Sequence, residues 1–236
     1  MKKFELTSEF ITNVFGTKLF RIKALIEFGN VKAGELGGYV EKEENLDQGG
    51  NAWVYGNAKV YGNAKVYGNA KVYGNAEVYG DAEIYGNAKV YGNAKVYGDA
   101  WVCGNAEVCG NAKVYGNAEI YGNAKVYGNA KVYGDAWVCG NAEVCGDAKV
   151  YGNAKVCGDA KVCGDADYAY AHGFGSEYRT TTFFSLKNGD VGVRCGCFYG
   201  TLQEFRNKVQ ATHKETKKAK EYLMLADLME LRFSKE

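Results

Sequence analysis

YGNAKVYGNAKVYGNAKVYGNAEVYG, residues 55–80, repeats six letters without a break, and the architecture follows from that phrase. The unit is Gly-(Asn/Asp)-Ala-X-(Val/Ile)-(Tyr/Cys). Nineteen copies begin at Gly50 and at every sixth residue as far as Gly158, with a fading copy at Gly164. A short fixed period is the signature of a stacked solenoid. Within a copy, Ala and Val/Ile stand two apart, so on an extended strand they share one face while X and Tyr/Cys take the other. Gly followed by Asn or Asp tolerates positive φ and turns a corner cheaply. A helix is excluded: a Gly every six residues would cost about 1 kcal/mol each against Ala, and the apolar spacing does not follow a 3.6-residue period.

A strand with one apolar face cannot bury it alone, so strand and corner must close on themselves. The phrase Val-Tyr-Gly-Asn-Ala-Lys resembles the hexapeptide-repeat left-handed β-helix family. The resemblance implies three strands to the coil, one from each of three successive copies, and a left-handed winding. The fold expected is therefore mainly β: a three-sided left-handed parallel β-helix over 50–175, an N-terminal β cap over 1–49 and a C-terminal ββαα unit over 176–236. Residues 86–109 are identical to 122–145, an offset of 36 that would equal two coils. Coils about 4.8 Å apart make a prism about 30 Å long, with an interior of Ala and Val too thin for a ligand and with strand edges at both ends that need covers.

The flanks supply candidates for those covers. FITNVFGTKLFRIKAL (10–25) alternates around Gly16 as a hairpin does, and GELGGYVEKEENL (34–46) reads as an irregular first coil. After the exit at His172–Gly175, TTTFFSLKNGDVGVRCGCF (180–198) predicts a hairpin with Asn188-Gly189 as a two-residue turn. Thr201 and Glu204 predict a capping box opening a helix on Leu202, Phe205 and Val209. A second helix carries Tyr222, Leu225, Ala226, Met229 and Phe233 on one stripe.

Charge and composition bound the function. Among 236 residues, 29 basic and 28 acidic side chains leave a net charge of +1, so any electrostatic surface is local. No run of 18 apolar residues and no leader-like start occur, which predicts a cytoplasmic protein with no membrane partner. Six of the eight Cys replace Tyr within the repeat and are expected to be reduced.

Sorting copies by threes gives each outward side chain a column. One face aligns Tyr61, Tyr79, Tyr97, Tyr115, Tyr133 and Tyr151 beside Lys59, Glu77, Lys95, Lys113, Lys131 and Lys149. A second carries Trp101 and Trp137 near Glu83 and Glu119, with Cys103, Cys139 and Cys157; the third has Trp53, Cys109, Cys145 and Cys163. Trp in an outward slot marks a contact point. The candidate binding residues are thus Trp101, Trp137, the six tyrosines, Lys95, Lys113, Lys131 and Lys149. Stacked rings beside positive charge suit a protein partner, a nucleic acid strand or a polysaccharide. Each Cys column offers two close ligands rather than four, and Cys195-Gly196-Cys197 with His213 is a thin metal signal, so no metal and no cofactor are assigned.

The resembled family is best known for acyltransferases that use acetyl-coenzyme A, a His general base and long loops. Here no His lies between Gly50 and Cys163 and no copy is interrupted, so no catalytic residue is assigned. KAGELGGYVEKEENL, the YGNAKV run and VRCGCFYGTLQEFRNKV together look like uncharacterised hexapeptide proteins of bacteria and their phages. That resemblance implies a non-catalytic accessory protein of a mobile element engaging a host macromolecule, an inhibitor of host defence being one such role. Self-association through the C-terminal unit is a further expectation. The alternatives are a hexapeptide acyltransferase and a self-assembling rod.

Overall fold

A computed structural model describes residues 2–175 and 177–234. Each copy of the repeat contributes one two-residue strand, from β4 (Trp53–Val54) through β22 (Lys161–Val162), and each strand pairs in parallel with the strand three copies along, as Lys95 does with Lys113. The result is a three-sided parallel β-solenoid with three strands to the coil. The Ala and the Val or Ile of all nineteen copies are fully buried in one continuous core. The X and Tyr/Cys side chains point outward, so the alternation read from the sequence holds along the prism. Gly98 shows why the corner is glycine: φ is +74°, and a Cβ there would stand 3.0 Å from the Gly116 backbone nitrogen of the next coil.

Direction matters for the ends. Up to the last coil the N–H groups of X and Tyr/Cys, and in most copies that of Asn/Asp, donate to carbonyls one coil later, as in Asn63→Gly80, Lys65→Ala82 and Tyr67→Ile84 at 2.8–3.0 Å. Carbonyls are consequently left over at the N-terminal edge and N–H donors at the C-terminal edge. The covers match that polarity. At the N-terminal edge the buried Asn45 amide donates to Gly62 O and Ala64 O, at 3.0 and 2.9 Å. Lys3 Nζ donates to Gly49 O and Ala52 O, both at 3.0 Å. At the C-terminal edge, acceptors take the free N–H groups. Asp165 receives Lys149 N at 2.9 Å, Thr182 Oγ1 receives Lys155 N at 2.9 Å, and Asp167 receives Cys163 N and Gly164 N at 2.8 and 2.9 Å.

The N-terminal cover is a hairpin of β1 (Phe4–Thr12) and β2 (Lys18–Ala24), continued by β3 (Leu36–Val40), which pairs antiparallel to β2 and parallel to the second repeat strand. The first coil is two residues longer than the rest: Val40 registers with Val60 and Leu46 with Val66. The surplus falls in the Asp47–Gly50 corner, around which Gln48 and Lys3 bond.

The C-terminal unit is a small sheet followed by two helices, as expected, with two strands more than the ββαα reading. Its sheet has four antiparallel strands, β23 (Tyr168–Phe174), β24 (Arg179–Ser185), β25 (Val191–Cys195) and β26 (Phe198–Thr201), followed by α1 (Leu202–His213) and α2 (Lys217–Phe233). The first strand begins directly after the fading copy, and its apolar-polar alternation merges with that of the repeat. The β24–β25 connection is also one residue longer than expected. Leu186 N donates to Asp190 O, leaving Lys187, Asn188 and Gly189 in the loop with Gly189 at φ +91°. Strand alternation then sends Thr182 and Phe184 into the end of the solenoid, and Phe183 with Val193 against the helices. The predicted capping box forms, with Glu204 N donating to Thr201 Oγ1 at 3.2 Å and Thr201 N to Glu204 at 2.7 Å.

Candidate functional site

The face between β5 (Lys59–Val60) and β20 (Lys149–Val150) carries the regular columns. Its strands register Lys59, Glu77, Lys95, Lys113, Lys131 and Lys149 one above another. Glu77 neutralises the early part, 3.4 Å from Lys59 and 3.0 Å from Lys95. Burial works against the Glu77 carboxylate, but hydrogen bonds and charge from the two lysines outweigh it and hold its pKa below the usual range. Beyond it four lysines follow in line, Lys95, Lys113, Lys131 and Lys149. Lys149 approaches Asp165 at 3.9 Å, while Lys113 and Lys131 have no ion-pair partner among the described residues. Like charges on neighbouring strands repel, so this run is not there to stabilise the sheet.

Beside it the six tyrosines form a single stack from Tyr61 to Tyr151, with ring centroids 4.8–5.4 Å apart and planes within 15° of parallel. Leu19 and Tyr39 close one end of the stack and Tyr168 and Tyr170 meet Tyr151 edge-on at the other. This alters what the ladder offers. Each ring face is covered by its neighbour, so a base or sugar ring cannot stack on it; only ring edges and hydroxyls reach solvent. Burial, with Glu77 and Tyr79 adding, raises the Tyr61 phenol pKa, which keeps that hydroxyl a neutral donor.

The tryptophans are not equivalent. Trp101 lies between Glu83 and Glu119 and is 45% exposed. Trp137 lies between Glu119 and Lys155, and the Lys155 ammonium stands 3.7 Å from the centre of its ring. Tyr121 meets the Trp137 ring edge-on at 6.2 Å. Of the two predicted contact points, only Trp101 presents an open ring. Trp53, also in an outward slot, is 0% exposed. Phe4 and Phe28 pack edge-on against it at 6.1 and 5.3 Å, and Gly37 lets β3 approach, since a Cβ there would lie 2.7 Å from the Trp53 ring. Its role is to seat the N-terminal cover.

The expectation that the repeat cysteines are reduced is corrected. Cys139 pairs with Cys157 and Cys145 with Cys163 as disulfides, each across one coil with Cα atoms 4.6 and 4.3 Å apart. The stacking that sets Tyr on Tyr sets sulfur on sulfur wherever two Cys occupy successive coils. Cys103, Cys109, Cys195 and Cys197 are free.

The corners add a feature that sequence reasoning missed. Asn51, Asn69, Asn87, Asn105, Asn123 and Asn141 pass one hydrogen bond each along the axis at 3.0–3.1 Å, ending on Asp159. Asn75 to Asn129 form a second ladder, ending on Asp147. An Asn donates and accepts, so it continues a ladder; a carboxylate only accepts, so it ends one. The choice between Asn and Asp at this position carried the signal.

Neither histidine lies on the coils: His172 is on β23, 3.0 Å from Thr180 Oγ1, and His213 ends α1. Among the described residues no group of three or more His, Cys, Asp or Glu is placed to hold a metal ion, and no helix is long and apolar enough to cross a membrane.

Fold and faces together define a protein of the repeat β-solenoid class. The family model described as the YdcK beta solenoid repeat matches residues 88–104 and 124–140. The second match begins two coils of the solenoid after the first, and each spans one of the outward tryptophans. The description names a repeat and no activity. No curated protein matches the chain.

Proposed function

We propose that the chain is a non-catalytic docking scaffold whose lysine face receives an acidic protein surface. The observation that supports this most is the line Lys95–Lys113–Lys131–Lys149, set at the coil spacing with two members lacking a carboxylate partner among the described residues. Carboxylates on adjacent strands of a partner sheet are spaced by about 4.8 Å as well, so they would meet the lysines one for one. Phosphates along one strand of a duplex follow a helical path, rising about 3.4 Å each along the axis, and so fall out of step with a straight column. Closed ring faces also remove the stacking on which single-strand and sugar recognition depend. The tyrosine hydroxyls line the same face as neutral hydrogen-bond donors. Trp101, open and flanked by Glu83 and Glu119, is a second anchor on the neighbouring face. Rod formation by end-to-end strand pairing has little support, because side chains of the covers occupy the edge groups that it would use.

Fluorescence anisotropy with labelled poly-glutamate and with single-stranded DNA of equal length tests the reading. Expected is salt-sensitive binding of poly-glutamate, tighter than that of DNA and weakened about tenfold or more by Lys113→Glu with Lys131→Glu. Equal binding by the double variant, or preference for DNA, would contradict it.

A further inference from the structure

The terminal unit contains a cavity of 240 Å³ between the β25–β26 hairpin and α1, apart from the lysine face. Its wall is aromatic: Phe198 and Phe205 have ring centroids 5.6 Å apart, Phe205 and Tyr222 5.7 Å, and Tyr222 and His213 5.9 Å. Its rim is cationic. Arg179 and Lys208 stand on it without an ion-pair partner among the described residues, and Glu177 is the one carboxylate in the lining. The Arg179 guanidinium lies over the two-residue turn Gly196-Cys197, and the absent side chain at Gly196 makes room for it; a Cβ there would stand 2.6 Å from Arg179 Nη1.

Backbone conformation adds a separate pointer. Tyr178 and Lys214, both at φ +49°, are the only non-glycine residues with positive φ among the described residues. One immediately precedes Arg179 and the other immediately follows His213, so both adjoin this cavity. Side chains other than Gly, Asn and Asp reach that region at a cost, and such positions gather at binding sites.

We propose that this cavity binds a small anion carried on a flat apolar body, an aromatic carboxylate being the chemical class that fits. The ring would lie against Phe198 and Phe205, and the carboxylate would take the Arg179 guanidinium and the Lys208 ammonium. The site does not depend on the lysine face and would stand if the docking reading fell.

Amide NMR of the full chain, titrated with benzoate, benzyl alcohol and inorganic phosphate, tests it. Benzoate is expected to shift Gly196, Cys197, Lys208 and Thr212 saturably, with benzyl alcohol and phosphate each about tenfold weaker or more. Arg179→Gln with Lys208→Gln should weaken benzoate by a similar factor while leaving the solenoid resonances in place. The proposal is overturned if benzyl alcohol matches benzoate, if phosphate matches it, if the shifts spread over the solenoid, or if none occur. A second readout uses the thiols. Cys197 should be alkylated by iodoacetate, relative to iodoacetamide, faster than Cys103 on the same chain; an equal ratio at the two sites removes the anion-attracting rim.

Discussion

The Lys155 ammonium stands 3.7 Å from the centre of the Trp137 ring, whereas the corresponding position beside Trp101, two coils earlier, is Glu119. Residues 86–109 and 122–145 are identical, and of the positions that differ in the stretch that follows, Glu119 against Lys155 is the one paired with the indole, so one indole is covered by a cation and the other is open. Acrylamide quenching should therefore be dominated by Trp101. Trp101→Phe should remove most of the quenchable emission, and Lys155→Ala should raise the accessibility of Trp137. Strong quenching that survives Trp101→Phe would contradict the assignment.

The two disulfides lie on the last coils, where the terminal unit docks. Each closes a loop of 18 residues, for which the chain-entropy account gives about 3 kcal/mol. Reduction should lower the melting temperature. Cys145→Ala should cost on the order of 2–3 kcal/mol in chemical denaturation, against less than about 1 kcal/mol for Cys103→Ala. Equal effects at the two positions would mean that the pairs do not staple the end.

The tyrosine stacks make stability fall in alkali. Tyr85 is pushed up to about 12, first by its hydrogen bond with the Cys103 thiol and then by burial. Burial raises Tyr79, Tyr97 and Tyr115 in the same direction. A phenol whose folded pKa lies above its unfolded value of about 10 contributes stability fully below pH 10 and loses it as pH rises toward the folded value. Tyrosinate absorbance should lag the ordinary titration and then rise together with loss of β circular dichroism. Titration of these residues near pH 10 in the folded protein would contradict the stacking.

Lys3 works in the other sense. Burial lowers its ammonium to about 8, with Asp47 opposing. Below that value the folded protein bears the cost of a buried charge, and the cost is relieved as pH rises from about 8 toward the unfolded lysine value of about 10.5. Hydrogen-exchange protection factors at the N-terminal cover, that is, rates corrected for the intrinsic pH dependence, should rise across that window, and Lys3→Met should flatten the rise. An unchanged pH profile in Lys3→Met would show that another group is responsible.

The repeat could be read correctly because its information is local. Ala and Val two apart, a corner residue that accepts positive φ and a fixed period determine which side chains enter the core, and Ala94 with Val96 behaves like any other pair. The capping box at Thr201 and Glu204 was legible for the same reason. What could not be read depends on contacts far apart in the chain. Trp53 occupies an outward slot and becomes buried only because Phe4, Phe28 and Gly37 are brought over it. Asn45 and Lys3 are edge covers whose acceptors lie on other coils. Disulfide pairing at Cys139 and Cys145 required the coil register to be trusted over compartment reasoning. Closure of the tyrosine faces follows from that same register, and it changes what the face can bind without altering which residues form it.

Every outer column, lysine, tyrosine or cysteine, depends on side chains three copies apart lying on one another. Tyr115→Cys with Tyr133→Cys, introduced together, measures this directly, since those rings are stacked at 4.9 Å. Mild oxidation should join the new pair rapidly in the folded protein, while Tyr67→Cys with Tyr79→Cys, two copies apart, on different faces and with no Cys one coil away, should stay reduced. Cross-linking of the second pair as readily as the first would contradict the three-copy coil, and with it the lysine column.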